Sequence, residues 1–324
     1  WGGANQFLKA LKTYLISIES YCENTKDADV LLFNSHHNVE KELNLKYKYP
    51  NKFFIHRIDG PIFLIRNKDL NIDKQIFKLN EFMANGTIFQ SNWSKKECIN
   101  LGLKNNVSET TVINSPNSDL FNKNNKKSFD IKLKIKIVST SWSSNWKKGF
   151  AVYKWLAENL DFNKYEMIFI GNSPLKFKNI HHISPLSSEL LSEKLKESDI
   201  YITASQKDPC SNSLIEALHC GLPAIGLDDG GHTEIISKGG EVFDDHTQIP
   251  ILLDKIVSNY DNYQGNIKLP IIDKVGESYL DFISNIYKDN NQKPKTISYY
   301  FYKKTKFEIF AKKVFSKLKS MINI

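Results

Sequence analysis

The feature that most constrains the fold is a strand–helix–strand pattern in the second half of the chain. The apolar run 200–204 predicts a buried strand, and Ser211 begins a predicted helix that Gly221 and Pro223 end. The apolar run 224–227 then predicts a second strand. This order is typical of a parallel βαβ unit, which binds ligands at the carboxyl ends of its strands and favours phosphates at the N-terminus of its helix.

Acidic residues and glycines add a spacing that a βαβ unit alone does not explain. Asp208 and Glu216 lie eight residues apart, and Pro209 follows the first acid. A Gly-Gly pair at 230–231 precedes Glu234. This combination resembles the E-x7-E motif of the retaining GT-B glycosyltransferases of family 4, the group 1 transferases, with aspartate in the first position. An ordinary βαβ unit with surface acids would explain the helix and its end, but not the combined spacing.

The rest of the chain alternates between apolar strand-like runs and helical patterns. Predicted strands cover 29–34, 52–56, 86–90, 111–114, 135–139 and 165–170, and predicted helices cover 4–17, 94–100, 150–159, 187–196 and 277–287. Such alternation indicates parallel doubly wound sheets. We therefore expect an α/β protein, and the resemblance implies the GT-B architecture, with two Rossmann-like doubly wound parallel-sheet domains facing a cleft.

The polar, Lys/Asn-rich segment 122–132 is typical of an interdomain linker. We expect an N-terminal acceptor-side domain at 1–130 and a nucleotide-sugar-binding domain at 131–275. A helix at 276–290 would cross back to the first domain, and a basic amphipathic tail would cover 291–324.

The resemblance implies a role for several residues in binding the donor. Asp208 would face the donor sugar, and Glu216 would accept hydrogen bonds from the nucleotide ribose. Ser211 and Asn212 would donate to the sugar or the phosphates. Lys148 matches the lysine of the family's Arg and Lys-Gly diphosphate loop. The alternative interpretation is that Lys148 is a solvated lysine before a helix, with no part in binding the donor.

This chain departs from the family pattern at two positions near the phosphates. The stretch 141–145 is Ser-Trp-Ser-Ser-Asn and lacks the family's arginine. Hydroxyl groups, Asn145 or Lys147 are the candidates to replace it, although none supplies a guanidinium fork. Ser211 stands where the family usually has glycine, so we expect a different donor geometry there.

Gly2 and Gly3 match the family's N-terminal glycine loop, which lets the backbone approach the donor phosphates. Such a turn normally follows the first strand of a Rossmann domain. The two glycines stand at the start of this sequence. We therefore expect the N-terminal domain to lack its first strand.

A histidine at a predicted strand end completes the expected catalytic set of His56, Asp208 and Lys148. The resemblance implies that His56 hydrogen-bonds the donor sugar, and the alternative is a structural histidine. Asp59 and His36 are acceptor-side candidates. We expect the acids to bind ribose and sugar rather than to act as the carboxylate pair of a glycosidase.

We predict no metal site and no cofactor, because the nucleotide-sugar is itself a substrate. Asp27 and Asp29 form a lone D-x-D pair, which we interpret as a turn before a strand. Four cysteines lie far apart without metal-ligand spacing, which favours reduced thiols in the cytoplasm. The sequence contains no run of 18 apolar residues.

The net charge of +8 belongs to the tail. Residues 291–324 hold nine lysines and one glutamate, whereas the remaining residues hold equal numbers of basic and acidic side chains. Nucleic acid is therefore not an expected partner. From Phe307 onward most apolar residues share one helical arc that excludes most lysines, and the aromatic residues 299–302 precede it. This predicts that residues 299–324 bind an anionic membrane surface at the inner face of the membrane. A helix docked on the protein body is an equal alternative.

Together these features predict a hexosyl-type glycosyltransferase that depends on a nucleotide-sugar but on no metal. The resemblance implies transfer with retention, and the expected acceptor is a glycan or a lipid-linked acceptor in surface polysaccharide or lipopolysaccharide synthesis. A sugar-nucleotide epimerase of the same architecture and a non-catalytic GT-B-like binding subunit are the alternatives. A dinucleotide dehydrogenase is disfavoured because no G-x-G-x-x-G follows a strand.

Overall fold

Two sheets of parallel strands organise the chain, one in each of two units. A computed structural model describes residues 3–104 and 107–321. Unit 1 takes its described residues from Trp1–Ser20, Gln90–Ser94 and Val112–Ser278, and unit 2 takes its own from Tyr21–Phe89, Lys95–Thr111 and Tyr279–Ile324. The domains expected from the sequence, with breaks near residues 130 and 275, divide the chain differently and stay a prediction.

The described residues contain ten strands, which are β1 (Val30–Asn34), β2 (Phe53–Ile58), β3 (Gly86–Phe89), β4 (Ser108–Thr111), β5 (Ile135–Ser141), β6 (Tyr165–Gly171), β7 (His181–Ile183), β8 (Ile200–Thr203), β9 (Ala224–Leu227) and β10 (Gly240–Phe243). They also contain thirteen α-helices, which are α1 (Gly3–Ser17), α2 (Val39–Lys48), α3 (Ile62–Arg66), α4 (Leu70–Met83), α5 (Asn92–Asn100), α6 (Phe150–Asn159), α7 (Ser188–Lys196), α8 (Asn212–His219), α9 (His232–Ile236), α10 (Ile249–Ser258), α11 (Tyr260–Gly265), α12 (Ile272–Lys288) and α13 (Tyr299–Met321).

The sheet of unit 1 has the strand order β10–β9–β8–β5–β6–β7, and all its pairs are parallel. The chain builds outward from β5 through β6 and β7, and it then returns to the other side of β5 to add β8. The order therefore reverses between β5 and β8. In open α/β sheets, ligands bind outside the carboxyl ends of the strands at such a reversal.

Both faces of this sheet are covered by helices. Ile137 and Phe169 are buried on one face against Phe150 of α6, and Val138 is buried on the other face against Leu214 of α8. Strands that are buried on both faces are apolar throughout. This explains why the runs at 200–204 and 224–227 contain almost no polar residues.

The sheet of unit 2 has four parallel strands in the order β1–β2–β3–β4. Phe54 and Leu79 are buried in its core with Leu43 of α2 and Ile309 of α13. The tail helix therefore packs on unit 2 along one face, as the docked-helix alternative predicts. In the described part of the chain, no helix is both long enough and apolar enough to cross a membrane.

Several element boundaries differ from those predicted. The prediction that a strand ends at His56 is wrong, because β2 continues to Ile58. The predicted strand at 111–114 is also wrong, because β4 ends at Thr111. Val112 is buried and Ile113 packs against the core of unit 1, so the apolar run marks the passage of the chain into that unit. Helices α2, α3, α4, α9, α10 and α11 and strands β7 and β10 were not predicted.

Candidate functional site

A cavity of about 830 Å³ lies in unit 1 where the strand order reverses. Its walls come from the carboxyl ends of β5 and β8, the first turn of α8, and one side of α1. Lys148, Asp208, Ser211, Asn212 and Glu216 all line it. The structure thus brings together five residues that the sequence assigned to donor binding.

Lys148 and Asp208 form an ion pair inside this cavity, with 2.8 Å between Nζ and Oδ2. Lys148 Nζ also donates to Ser205 Oγ at 3.2 Å, and Ser205 Oγ donates to the same carboxylate oxygen at 3.2 Å. Burial opposes ionisation of Asp208, but the charge of Lys148 and these hydrogen bonds hold its pKa below its ordinary value. Asp208 therefore carries a negative charge at neutral pH.

Two glycines allow the backbone segments of the site to approach each other. Gly149 ends a short 3₁₀ turn at Trp146–Lys148 with a φ of 90°, and a Cβ there would lie 2.5 Å from the Cβ of Ala204. Gly230 also has a positive φ, and its Cβ would collide with the carbonyl oxygen of Asp208. Only glycine fits both requirements at these positions. These contacts fix the places from which Lys148 and Asp208 project.

Glu216 lies in α8 and presents its carboxylate to the cavity. Among the described residues, the structure shows no hydrogen-bond or ion-pair partner for this carboxylate. Burial accordingly raises the pKa of Glu216 to about 8. A carboxyl group held in a cavity without a protein partner is ready to accept hydrogen bonds from a ligand's hydroxyl groups.

The first turn of α8 also faces the cavity. Ser211 is the N-cap residue, but its side chain makes no capping hydrogen bond and lies 3.3 Å from Ser213 Oγ. Asn212 accepts a hydrogen bond at 3.0 Å from Asn114, which also donates to Gln90 at 2.8 Å. The amides at this helix end are thus not covered by the cap side chain, and helix N-termini favour anionic groups.

The loop that lacks the family's arginine is held by its own polar groups. Asn145 caps the 3₁₀ turn by accepting from the Lys147 amide at 3.0 Å, and Ser141 Oγ donates to Ser143 O at 2.8 Å. Lys207, in the next loop, pairs with Asp229 at 2.9 Å. The structure thus assigns Asn145 to turn formation, and Lys148 remains the cation of this loop that lines the cavity.

Several residues of the site were not predicted from the sequence. Gln6 and Lys9 line the cavity from α1, and Trp142 lines it from the end of β5 with 54% of its surface exposed. Ser205 donates a hydrogen bond to Asp208, and His232 lies close enough to interact electrostatically with the same carboxylate. Ser205 could have been found from its place directly after a predicted strand, but α1 reaches the cavity only through tertiary packing.

The glycine pair 230–231 precedes helix α9, whose Glu234 caps the start of α5 and does not line the cavity. Glu234 accepts hydrogen bonds from the Asn92 and Trp93 amides at 3.0 and 3.1 Å, at the start of α5. An anionic group at a helix N-terminus satisfies free amides and complements the helix dipole. Of the two N-terminal glycines, Gly3 is the first residue of α1, and Gly2 lies outside the described residues.

His56 lies inside β2 in unit 2 and is fully buried. Its Nε2 lies 3.1 Å from Ser35 O, and Asn80 Nδ2 donates to its Nδ1 at 3.2 Å. The ring stacks on Phe33 at 4.0 Å, and burial lowers the pKa of His56 to about 4. His56 is therefore neutral, with both ring nitrogens engaged. Its contact with a donor sugar stays a prediction.

Asp59, one of the other two candidates of unit 2, contacts a buried arginine that was not predicted from the sequence. Arg57 is fully buried, forms an ion pair with Asp59, and donates to Tyr279 Oη at 3.1 Å. Asp59 lies 3.8 Å from His37, whose ring stacks on His36. Burial lowers the pKa of His36, with a smaller contribution from His37. The roles of Asp59 and His36 at the acceptor stay predictions.

Comparison with solved structures decides the fold. The chain is similar to HepE of Anabaena in complex with UDP-glucose, with a TM-score of 0.62 and 12% identity over 85% of this chain and 82% of HepE. It is similar to a mutant of S. aureus TarM in complex with fondaparinux, α-GlcNAc-glycerol and UDP, with a TM-score of 0.64 and 18% identity over 86% and 59% of the two chains. A trehalose-6-phosphate structure from E. coli bound with UDP-2-fluoro glucose gives a TM-score of 0.59 and 10% identity over 87% and 77%.

The chain has the GT-B fold. The α/β class and the two parallel sheets expected from the sequence are thereby confirmed. Residues 122–265, which are less than half of the chain, match the family model described as glycosyl transferases group 1. This segment contains Lys148, Asp208 and Glu216. No curated protein sequence matches the chain.

Proposed function

We propose that this protein is a glycosyltransferase that binds a nucleotide-sugar donor in the cavity of unit 1. The observation that carries the proposal is the convergence of Lys148, Asp208 and Glu216 on one cavity at the strand-order reversal. The match of residues 122–265, which contain these three side chains, to the family model of the group 1 transferases supports the proposal. The cavity volume of about 830 Å³ is in the range of sites that hold small-molecule ligands.

Each part of the donor has a chemically suited partner in the cavity. The diphosphate would meet Lys148 Nζ and the free amides of the first turn of α8, which together offset its negative charge. The sugar would lie at Asp208, and Ser211 and Asn212 would donate hydrogen bonds nearby. The ribose hydroxyls would donate hydrogen bonds to Glu216, whose carboxyl group has no partner among the described residues.

The reaction in this proposal is the transfer of a hexosyl group with retention of configuration. The acceptor oxygen bonds to the sugar's anomeric carbon while the bond from that carbon to the diphosphate breaks. The acceptor's proton passes to the departing diphosphate. Lys148 and the α8 amides stabilise the charge that develops on the leaving group, so the scheme uses neither a metal ion nor a cofactor.

We propose a uridine nucleotide as the first donor class to test, because several similar structures hold UDP or UDP-sugars. The acceptor in our proposal is a glycan or a lipid-linked glycan of surface polysaccharide or lipopolysaccharide synthesis, with the enzyme on the cytoplasmic side. His56, Asp59 and His36 of unit 2 are the residues proposed for the acceptor side and the reacting region.

Calorimetric titration of UDP-, GDP- and ADP-sugars tests the donor site. We expect one nucleotide class to bind the parent and to bind Glu216→Gln at least about tenfold more weakly, because an amide NH2 group that cannot accept a ribose hydrogen bond replaces one of the two carboxyl oxygens. Glu158→Gln, an exposed substitution in α6, is the matched control and should bind as the parent does. Equal donor affinity in the Glu216 and Glu158 variants would contradict the donor site.

Nucleotide release separates transfer from binding alone. A transferase should release the nucleoside diphosphate from its donor, slowly to water and faster with a suitable acceptor. The absence of the family's arginine favours the second candidate, a non-catalytic GT-B-like binding subunit. A parent protein that binds the donor tightly but releases no diphosphate with any of a panel of glycan acceptors would favour that subunit. Conversion of the donor to its sugar epimer would instead show an epimerase.

A further inference from the structure

Helix α13 has two faces with different partners. On one face, Ile309 and Thr305 are buried against unit 2, and Tyr302 stacks on Tyr47 at 4.3 Å. On the other face, Tyr300, Phe307, Phe310 and Val314 point to solvent, and we call these four residues the exposed stripe. The first three are exposed by 72%, 70% and 62%. The helix is thus already docked, and its docking leaves the stripe uncovered.

The exposed stripe follows one line along the helix. Its members are separated by seven, three and four residues, which is the spacing of one helical face. Aromatic and aliphatic side chains that are this exposed along one line are uncommon on a monomeric surface and mark interaction sites.

Lysines accompany the exposed stripe. Lys303 and Lys304 are exposed on the same side of the helix, with Nζ 5.3 Å from the ring of Tyr299 and 5.9 Å from the ring of Tyr300. Glu308, the single acid among residues 291–324, points to the body and pairs with Lys78 of α4 at 2.7 Å. The outward face therefore offers positive charge and apolar surface without a described negative group beside them.

We infer that the exposed stripe of α13 is a docking surface for an anionic lipid bilayer, with the helix lying parallel to the membrane plane. Lysines beside exposed aromatic rings match the negative headgroups and the apolar boundary beneath them. A second copy of the chain is the weaker occupant, because two such faces would bring lysines against lysines. This inference stands on the tail and is independent of the proposed transfer reaction.

The exposed stripe is one face of the segment 299–324 that the sequence predicted as a membrane-binding surface. The amphipathic arc drawn from the sequence began at Phe307 and included Phe310 and Val314, with the aromatic residues 299–302 placed upstream of it. The structure extends the helix back to Tyr299 and turns Ile309 into the protein. Docking on the body and binding to a membrane are thus compatible, because they use opposite faces of one helix.

Vesicle sedimentation with the full chain tests the inference. We expect the parent to bind vesicles of equal parts phosphatidylcholine and phosphatidylglycerol, and to bind phosphatidylcholine alone weakly. Phe307→Ser with Phe310→Ser should weaken binding to mixed vesicles by at least about tenfold. The matched control is Ile251→Ser with Ile131→Ser, since these side chains are exposed by 70% and 61% in unit 1.

A charge-matched pair isolates the lysines. Lys303→Gln with Lys304→Gln should lower binding to mixed vesicles roughly tenfold, whereas Lys154→Gln with Lys178→Gln, which removes the same charge from unit 1, should change it little. Because all these side chains are exposed, the thermal unfolding temperature should be unchanged in every variant.

Three outcomes would overturn the inference. The first is a parent that does not bind mixed vesicles or binds both vesicle types equally. The second is equal weakening by the stripe variants and their controls. The third is a parent that is dimeric in solution and becomes monomeric on Phe307→Ser with Phe310→Ser, which would assign the stripe to a second copy of the chain.

Discussion

Replacing Glu216 by glutamine should stabilise the free protein at alkaline pH. The unperturbed pKa of glutamate is 4.5, and burial raises that of Glu216 to about 8 in the folded chain. Between these values the folded state holds a proton that the unfolded state has released, so the stability falls as the pH rises from 4.5 to about 8. Glutamine has no such proton and avoids the loss.

The structure sets the size of this effect. Each unit of pKa corresponds to about 1.4 kcal/mol, which gives a ceiling of about 5 kcal/mol. The carboxylate lines an open cavity, so water screens part of the cost. We therefore expect Glu216→Gln to raise the free energy of unfolding by about 2–3 kcal/mol at pH 9, and by less than about 1 kcal/mol at pH 5.

Urea unfolding at pH 5 and pH 9, in the absence of nucleotide, measures both values. Glu158→Gln should show no such difference between the two pH values, because Glu158 is exposed. The reasoning is refuted if the stability gain of Glu216→Gln is the same at both pH values, or if this variant is less stable than the parent at pH 9. Combined with weaker donor binding, the expected result would show a residue that favours ligand binding at the expense of stability.

Three other substitutions probe the remaining contacts. Lys148→Met leaves Asp208 without its cation. Because the lysine is 35% exposed, we expect the free energy of unfolding in urea at pH 7 to fall by about 1–2 kcal/mol, and the donor to bind more weakly. Unchanged stability would argue against a stabilising ion pair. Gly149→Ala should cost about 2–4 kcal/mol, because its φ is positive and the residue after β8 blocks a Cβ. Gly265→Ala, which meets nothing within 4 Å, is its control in the same unfolding assay and should not destabilise. The parent should be more stable than His56→Gln at pH 7, and this difference in the free energy of unfolding should shrink by about 1–2 kcal/mol at pH 5. Burial lowers the pKa of His56 from 6.5 to about 4, so the parent loses stability as the pH falls through this range. A difference that does not change with pH would show that His56 does not titrate this way.

Local sequence patterns were most informative in unit 1. The strand starting at Ile135 and the helix Phe150–Asn159 begin where they were predicted, because the strand is buried on both faces and the helix follows a glycine turn. The α8 helix was equally clear, since Ser211 begins it and Gly221 with a positive φ follows its end. Each of these elements is specified by neighbours in sequence.

Patterns in unit 2 were less informative. Helix α2 was missed because it is rich in lysine and glutamate, and its N-cap Asn38 makes no side-chain capping bond. Val112 and Ile113 were mistaken for part of a strand, because an apolar run that is buried against another element looks the same in the sequence as one that is buried in a sheet. Periodicity records that a residue is buried, but not which element covers it.

The sequence by itself predicted the parallel α/β class, because the alternation of strands and helices is a local pattern. Its resemblance to the group 1 transferases singled out Lys148, Asp208 and Glu216, of which the two acids lie within one βαβ unit. Only the tertiary structure decided that α1 lines the same cavity, that Asp208 pairs with Lys148 across 60 residues of chain, and that Arg57 is buried beside Asp59. It also decided which face of α13 remains exposed. These features depend on contacts between distant segments, and the hydrophobicity and charge of a single segment do not specify its distant partner.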